Sequence, residues 1–218
     1  MTVAMSSGRV DRPSVVAPEI APMRRRHLRG VMAIETAANS RPWSTRLFAD
    51  ELRMPMSRLY LVALDDHEVV GYAGLMITLD EGHVTNVAVH PEHRRRHIGT
   101  MLMLVLMRRA VERGVVDMTL EVRQSNRAAQ ELYRHLGFAP GGARTGYYPD
   151  TGEDALIMWA HGIDAPEHAD RLRDLEASLP VRLNDHTSAL DPLAAAREDA
   201  VATAGSADPL DDALEYDE

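Results

Sequence analysis

Val87-Ala88-Val89-His90-Pro91-Glu92-His93-Arg94-Arg95-Arg96-His97-Ile98-Gly99-Thr100 runs directly into Met101-Leu102-Met103-Leu104-Val105-Leu106-Met107. A β-branched strand ends at a proline turn, three arginines and a glycine follow, and a helix-length apolar run begins. Backbone N–H groups of a helix first turn have no intrahelical partner, and the helix dipole favours negative charge there. Set inside a basic loop, those groups make an anion cradle suited to a pyrophosphate.

Outward from this stretch the chain alternates strand and turn. Val15 to Ile20 reads as a short strand, Pro22-Met23 as the opening of a helix through Ile34-Glu35, and Ser44 as the N-cap of a second helix ending near Leu52. Trp43 precedes that cap as a hydrophobic staple to Phe48. Leu59–Leu64 and Val69–Ile77 form a predicted hairpin, and a turn at Asp80-Glu81-Gly82 leads into the strand His83–Val89. The helix from Ile98 ends at Gly114, and Val115–Val122 is the next strand. Strand, helix, strand implies a right-handed crossover with parallel partners, in a sheet otherwise antiparallel. A helix over 126–136 and a closing strand pair, Phe138–Ala143 and Ala155–Ala160, complete the α/β pattern. The close pair Gly71 and Gly74 reads as tight strand packing rather than a dinucleotide loop.

The 218 residues, 45% hydrophobic, suffice for one core and are short for two. The expected organisation is a disordered N-terminus over 1–13, a domain over 14–163, and an acidic, largely disordered tail over 164–218, with a helix possible over 167–179. From Ala165 onward 14 acidic residues face four arginines, so most of the net charge of −9 lies there and the body is nearly neutral. All 24 basic residues are arginine. The absence of cysteine excludes disulfides, thiolate metal sites and a cysteine nucleophile. Met101–Met107 is far too short to cross a bilayer and no leader-like apolar segment opens the chain, so a cytoplasmic protein is expected.

Two further stretches carry chemistry. In Leu120-Glu121-Val122-Arg123-Gln124-Ser125-Asn126, continuing to Leu132-Tyr133, Glu121 lies late on a strand and Tyr133 twelve residues on, so a turn and two helical turns can return both to one cleft. Amine acylation needs such a pair: a carboxylate to deprotonate the ammonium and a phenol to protonate the departing thiolate. Taken singly, Tyr133 reads as a half-buried helix aromatic and Glu121 as a solvated strand residue. Gly146-Tyr147-Tyr148-Pro149 sits at a hairpin bend, where the tyrosines could wall a groove or simply pack. His90, His93 and His97 do not make a metal site, because Pro91 breaks the helical face and the arginines repel a cation; no metal is expected. With aromatic content of 5%, the arginine clusters do not argue for nucleic acid.

The order Arg94 to Gly99 resembles the acyl-CoA loop of the GCN5-related N-acetyltransferases, in which Arg or Gln is followed by two residues, Gly, one residue, and Gly or Ala. His97 stands where that pattern has its first glycine. Arg123 to Ala129, Leu132-Tyr133, Leu136-Gly137-Phe138, the Tyr-Tyr-Pro hairpin and Pro42-Trp43-Ser44 resemble, in the same order, the RimI-type ribosomal-protein alanine N-acetyltransferases. The resemblance spans about Pro18 to Trp159. It implies the GNAT fold, a mixed, mostly antiparallel twisted sheet with helices on both faces. It also implies Glu121 as base, Tyr133 as acid, and Asn126 as an acyl-CoA contact. The pantetheine arm would lie along Val87, Ala88 and Val89, and the pyrophosphate against Arg94, Arg95, Arg96, His97, Ile98, Gly99 and Thr100. Tyr147 and Tyr148 would bind the acceptor. The implied function is acetyl transfer from acetyl-CoA to the N-terminal amine of a small-subunit ribosomal protein, without nucleic-acid or membrane partners. The alternatives are a lysine or small-amine acetyltransferase on the same scaffold, or an acyl-CoA-binding module without turnover.

Overall fold

The structure, a computed structural model, describes residues 17–187, so the expectations for 1–13, for Val15-Val16 and for the chain after 187 fall outside it. Its strands are β1 (Glu19–Pro22), β2 (Arg58–Asp65), β3 (Glu68–Thr78), β4 (Glu81–Val89), β5 (Asp117–Arg123), β6 (Ala139–Tyr148), β7 (Glu153–Ala160) and β8 (Asn184–Asp185). They form one sheet in the order β6-β7-β5-β4-β3-β2-β1-β8. The pairings β4 with β5 and β1 with β8 are parallel, and the other strand neighbours are antiparallel.

The helices are α1 (Leu28–Ala38), α2 (Thr45–Glu51), α3 (Ile98–Glu112), α4 (Arg127–His135) and α5 (Pro166–Ala177). The central strands are covered on both faces, which is why β2 is a continuous apolar run rather than an alternating one. Leu59, Leu61 and Ala63 face the core that buries Ile98 and Met101–Met107 of α3. Tyr60 and Val62 face the opposite core, with Val31 and Ile34 of α1 and Phe48 of α2. There Phe48 meets Tyr60 and Tyr72 edge-on, at centroid distances of 6.2 and 5.7 Å.

Local signals fix the entry to α2. Ser44 accepts the Leu47 N–H at 3.1 Å, and Trp43 packs 5.3 Å from Phe48. The helix expected from Pro22 starts later, because Pro22 closes β1 and Arg25–His27 form a single 3-10 turn before α1. The strand expected over Phe138–Ala143 continues to Tyr148, with irregular pairing between Pro140/Gly142 and Arg144/Tyr148 that hides its alternation.

The expected domain boundary at 163 falls inside the folded body. Leu172 on α5 is buried in the α3-side core, and Leu175, Leu179, Val181 and Leu183 pack on it. Arg109 of α3 reaches Asp185 at 3.0 Å and Thr187 at 2.6 Å, holding β8 beside β1. Few but well-placed leucines do this, which composition averaged over the acidic segment does not register. No helix among the described residues is long and apolar enough to cross a membrane.

Candidate active site

The site originates where two strands part. β4 and β5 pair in parallel from Glu81↔Asp117 to Val84↔Leu120, and beyond that register β4 runs on to Val89 and β5 to Arg123 without pairing. A bulge starts the divergence: Gly74 faces Asn86 while Leu75 faces Val84, leaving Thr85 as the extra residue. Gly74 is required at that point, since a Cβ would lie 2.3 Å from the Tyr60 ring and 2.7 Å from Thr85 Oγ1. The gap opens into a cavity of about 940 Å³.

At one end of the cavity stands the basic loop. Arg95 and His97 both adopt left-handed backbone conformations, with φ of 61° and 58°. His97 is the N-cap of α3 and its side chain caps nothing, so the first-turn N–H groups stay available. It thus takes the backbone conformation that glycine adopts most easily. Gly99 keeps ordinary dihedrals, and a Cβ there would touch Leu132 Cδ2 at 3.4 Å. Arg94, Arg95, His97, Ile98, Gly99 and Thr100 line the cavity. Arg96 does not; its guanidinium turns back to Asp65 at 2.7 Å and His93 Nδ1 at 2.7 Å, bracing the loop against the end of β2.

Along the walls lie Val87, Ala88 and Val89 of β4, then Glu121 of β5 and Tyr133 of α4. The two groups capable of acid–base chemistry, twelve residues apart in sequence, share one space. Tyr133 is 8% exposed, and burial pushes its phenol above the ordinary range, so it is a proton donor at neutral pH. Asn126 also borders the cavity, but its Oδ1 accepts the Ala129 N–H at 3.1 Å as the α4 N-cap.

A profile of the acetyltransferase (GNAT) family matches residues 28–138, which span both helices of the α1–α2 face, the bulged β4, the basic loop and Tyr133. The chain belongs to the GNAT acetyltransferase family. Among relatives of this acetyltransferase, the ribosomal protein bS18-alanine N-acetyltransferase of Salmonella typhimurium is 40% identical over 127 residues, covering 57% of this chain and 84% of the relative. The enzyme of that name from Escherichia coli strain K12 is 37% identical over the same length. The crystal structure of the Escherichia coli ribosomal-protein-S18-alanine N-acetyltransferase superposes with a TM-score of 0.60 at 34% identity, over 66% of this chain and 92% of that one. Ard1 of Thermoplasma volcanium gives a TM-score of 0.62 at 26% identity, over 67% and 98%.

The cavity of this GNAT acetyltransferase is also lined by Tyr148 of β6 and by Ala38 and Asn39, where α1 ends. Tyr148 lines the cavity, and its phenol is pushed up to about 12, chiefly by burial. The Arg123 guanidinium lies 3.9 Å over its ring and also binds Asp150 at 2.9 Å. Asp150 in turn accepts a short hydrogen bond from Ser40, tying the β6–β7 turn to the α1–α2 loop. Tyr147 is 44% exposed and stands outside the cavity, edge-on to Tyr148 at 5.2 Å. The α1–α2 loop is fixed from beneath by Glu35, which is 1% exposed. Its carboxylate accepts from Tyr72, from the Asn39 amide at 2.6 Å and from the Trp43 N–H at 2.9 Å.

Three residues absent from the sequence reading also belong here. His83 Nε2 lies 3.1 Å from Glu121 Oε2, and Arg144 Nη2 lies 3.0 Å from Glu121 Oε1. Asn86 lines the cavity with a buried Oδ1 that has no hydrogen-bond partner among the described residues. Strand alternation places His83 on the face opposite buried Val84, but its meeting with Glu121 depends on the β4–β5 register, which no local pattern specifies.

Proposed function

We propose that this chain transfers the acetyl group of acetyl-CoA to the α-amino group of a protein N-terminus in the cytoplasm. The acceptor we propose is ribosomal protein bS18, the substrate carried in the names of its relatives. The observation that carries the reading is the placement of Glu121 and Tyr133 in one cavity that the basic N-terminus of α3 and Tyr148 also line.

The residues fit the donor. Beyond Val84 the edge of β4 that faces β5 is open, which suits an extended amide-bearing arm along Val87–Val89. The α3 first turn, with Arg94 and Arg95 beside it, suits a pyrophosphate. The unpartnered Asn86 Oδ1 offers an acceptor for an N–H within the same cavity. When bound, acetyl-CoA supplies an acetyl group activated as a thioester.

Glu121 then takes up the proton shed by the attacking amine, and Tyr133, kept protonated by burial, donates one to the departing sulfur. The Arg144 guanidinium beside Glu121 Oε1 marks a cation position at the base, and the acceptor's ammonium replaces it there. The link from Ser40 through Asp150 to Arg123 narrows the cavity around an entering chain end.

The test is mass spectrometry of peptides offered with acetyl-CoA, one ending in the bS18 N-terminus and others presenting lysine side chains alone. Acetyl on the free α-amine is expected; preferential labelling of lysine would favour the alternative acceptor class. Glu121→Gln and Tyr133→Phe should each lower kcat by about 100-fold or more while acetyl-CoA still binds. Unchanged turnover in both would remove the assigned roles.

A further inference from the structure

The two oxygens of Glu121 have unlike neighbours. Arg144, at Oε1, has a side chain 56% exposed, on a stretch of β6 flanked by irregular pairing on both sides, and its guanidinium also lies 5.7 Å over the Tyr147 ring. His83, at Oε2, sits on the part of β4 that remains locked to β5, in register with Thr119 and opposite Met76 of β3.

We infer that His83 is a positioning residue for Glu121: its imidazole, 3.1 Å from Oε2, holds that oxygen and turns Oε1 toward the acceptor amine. The inference rests on Glu121 being the base. A neutral imidazole with its proton on Nε2 donates to Oε2 and leaves Oε1 as a full acceptor.

Other charges near this face of the sheet are already engaged. Thr85, two residues on, lies 3.3 Å from the Tyr60 hydroxyl, which donates to Glu51 at 2.9 Å; Glu51 is paired with Arg58 at 2.6 Å. On α1, Glu35 is held by Tyr72, Asn39 and Trp43. Glu81, two residues before His83, shares its face in register with Asp117, which is paired with His161 at 3.0 Å; Glu121 is the carboxylate that His83 itself meets, at 3.1 Å.

His83→Gln retains an N–H donor that does not titrate, and His83→Leu removes the donor. Steady-state kinetics, with acetyl-CoA affinity measured by calorimetry, separate the roles. His83→Leu is expected to lower kcat about tenfold or more while the acetyl-CoA Kd and the KM for peptide stay within about twofold, and His83→Gln is expected to restore most of the lost kcat. A kcat in His83→Gln as low as in His83→Leu would overturn the inference, as would wild-type kcat in His83→Leu. If those results came with an inactive Glu121→Gln, the base assignment would survive; an active Glu121→Gln would remove both.

Discussion

Replacing His97 with glycine isolates the backbone contribution of the basic loop before α3. His97 holds φ 58° and ψ 13° with no side-chain cap to compensate. A left-handed conformation costs an L-residue about 1–2 kcal/mol, which glycine avoids. Glycine also gives the unfolded chain extra freedom, a loss of about 0.4–1 kcal/mol. The difference leaves His97→Gly more stable by about 0.5–1 kcal/mol, or an increase in Tm of about 1–4 °C for a chain of this size. Because the peptide N–H groups of the α3 first turn are unchanged, acetyl-CoA affinity should stay equal or rise. Paired thermal melts and calorimetric titrations with acetyl-CoA read both quantities. A tenfold loss of affinity would show that the imidazole itself grips the donor, and a fall in Tm would show that the loop is not strained at this position.

Two other perturbations follow from the packing. A chain truncated after Asp164 loses buried Leu172 and the contacts of Arg109 with Asp185 and Thr187, so it should lose several kcal/mol of stability, about 2–3 for the leucine alone. A truncated protein melting within a degree or two of the full chain would refute that. Burial, with Arg26 and Arg24 adding to it, holds the His27 imidazole down at about 4, against 6.5 unfolded. Between those values the unfolded chain binds a proton that the native one does not, so stability falls as pH drops through this window, by about 3 kcal/mol at most. His27→Asn should flatten that part of the Tm–pH curve; an unchanged slope would place the acid sensitivity elsewhere.

Much of the architecture is legible wherever the signal is local. Ser44 with Trp43, the apolar run of α3, and Gly114 at its end each act through neighbours a few residues away, and each element appears where its residues place it. Glu121 and Tyr133 were connectable because one turn and a short helix separate them. What was not legible depends on register and on sparse contacts. His83 meets Glu121 only through the pairing of Val84 with Leu120, and Arg144 arrives from a strand whose glycines blur its alternation. Arg96 looks like its neighbours in a run of three arginines, yet left-handed Arg95 turns the chain so that it faces Asp65. The helix expected over 167–179 is α5, but its attachment to the core is hidden in the acidic average, although a few leucines suffice to fasten it.

The parting of β4 from β5 leaves the protein, in effect, one strand short. A donor arm laid along Val87–Val89 would complete the sheet, so filling the cleft and consolidating the fold would draw on the same hydrogen bonds. Ligand supply then becomes part of the protein's stability: at a hundred times Kd, a ligand that binds only the native state adds about 2.7 kcal/mol. In a cell whose acetyl-CoA level rises and falls, the abundance of folded enzyme would follow its donor, before any acceptor is touched.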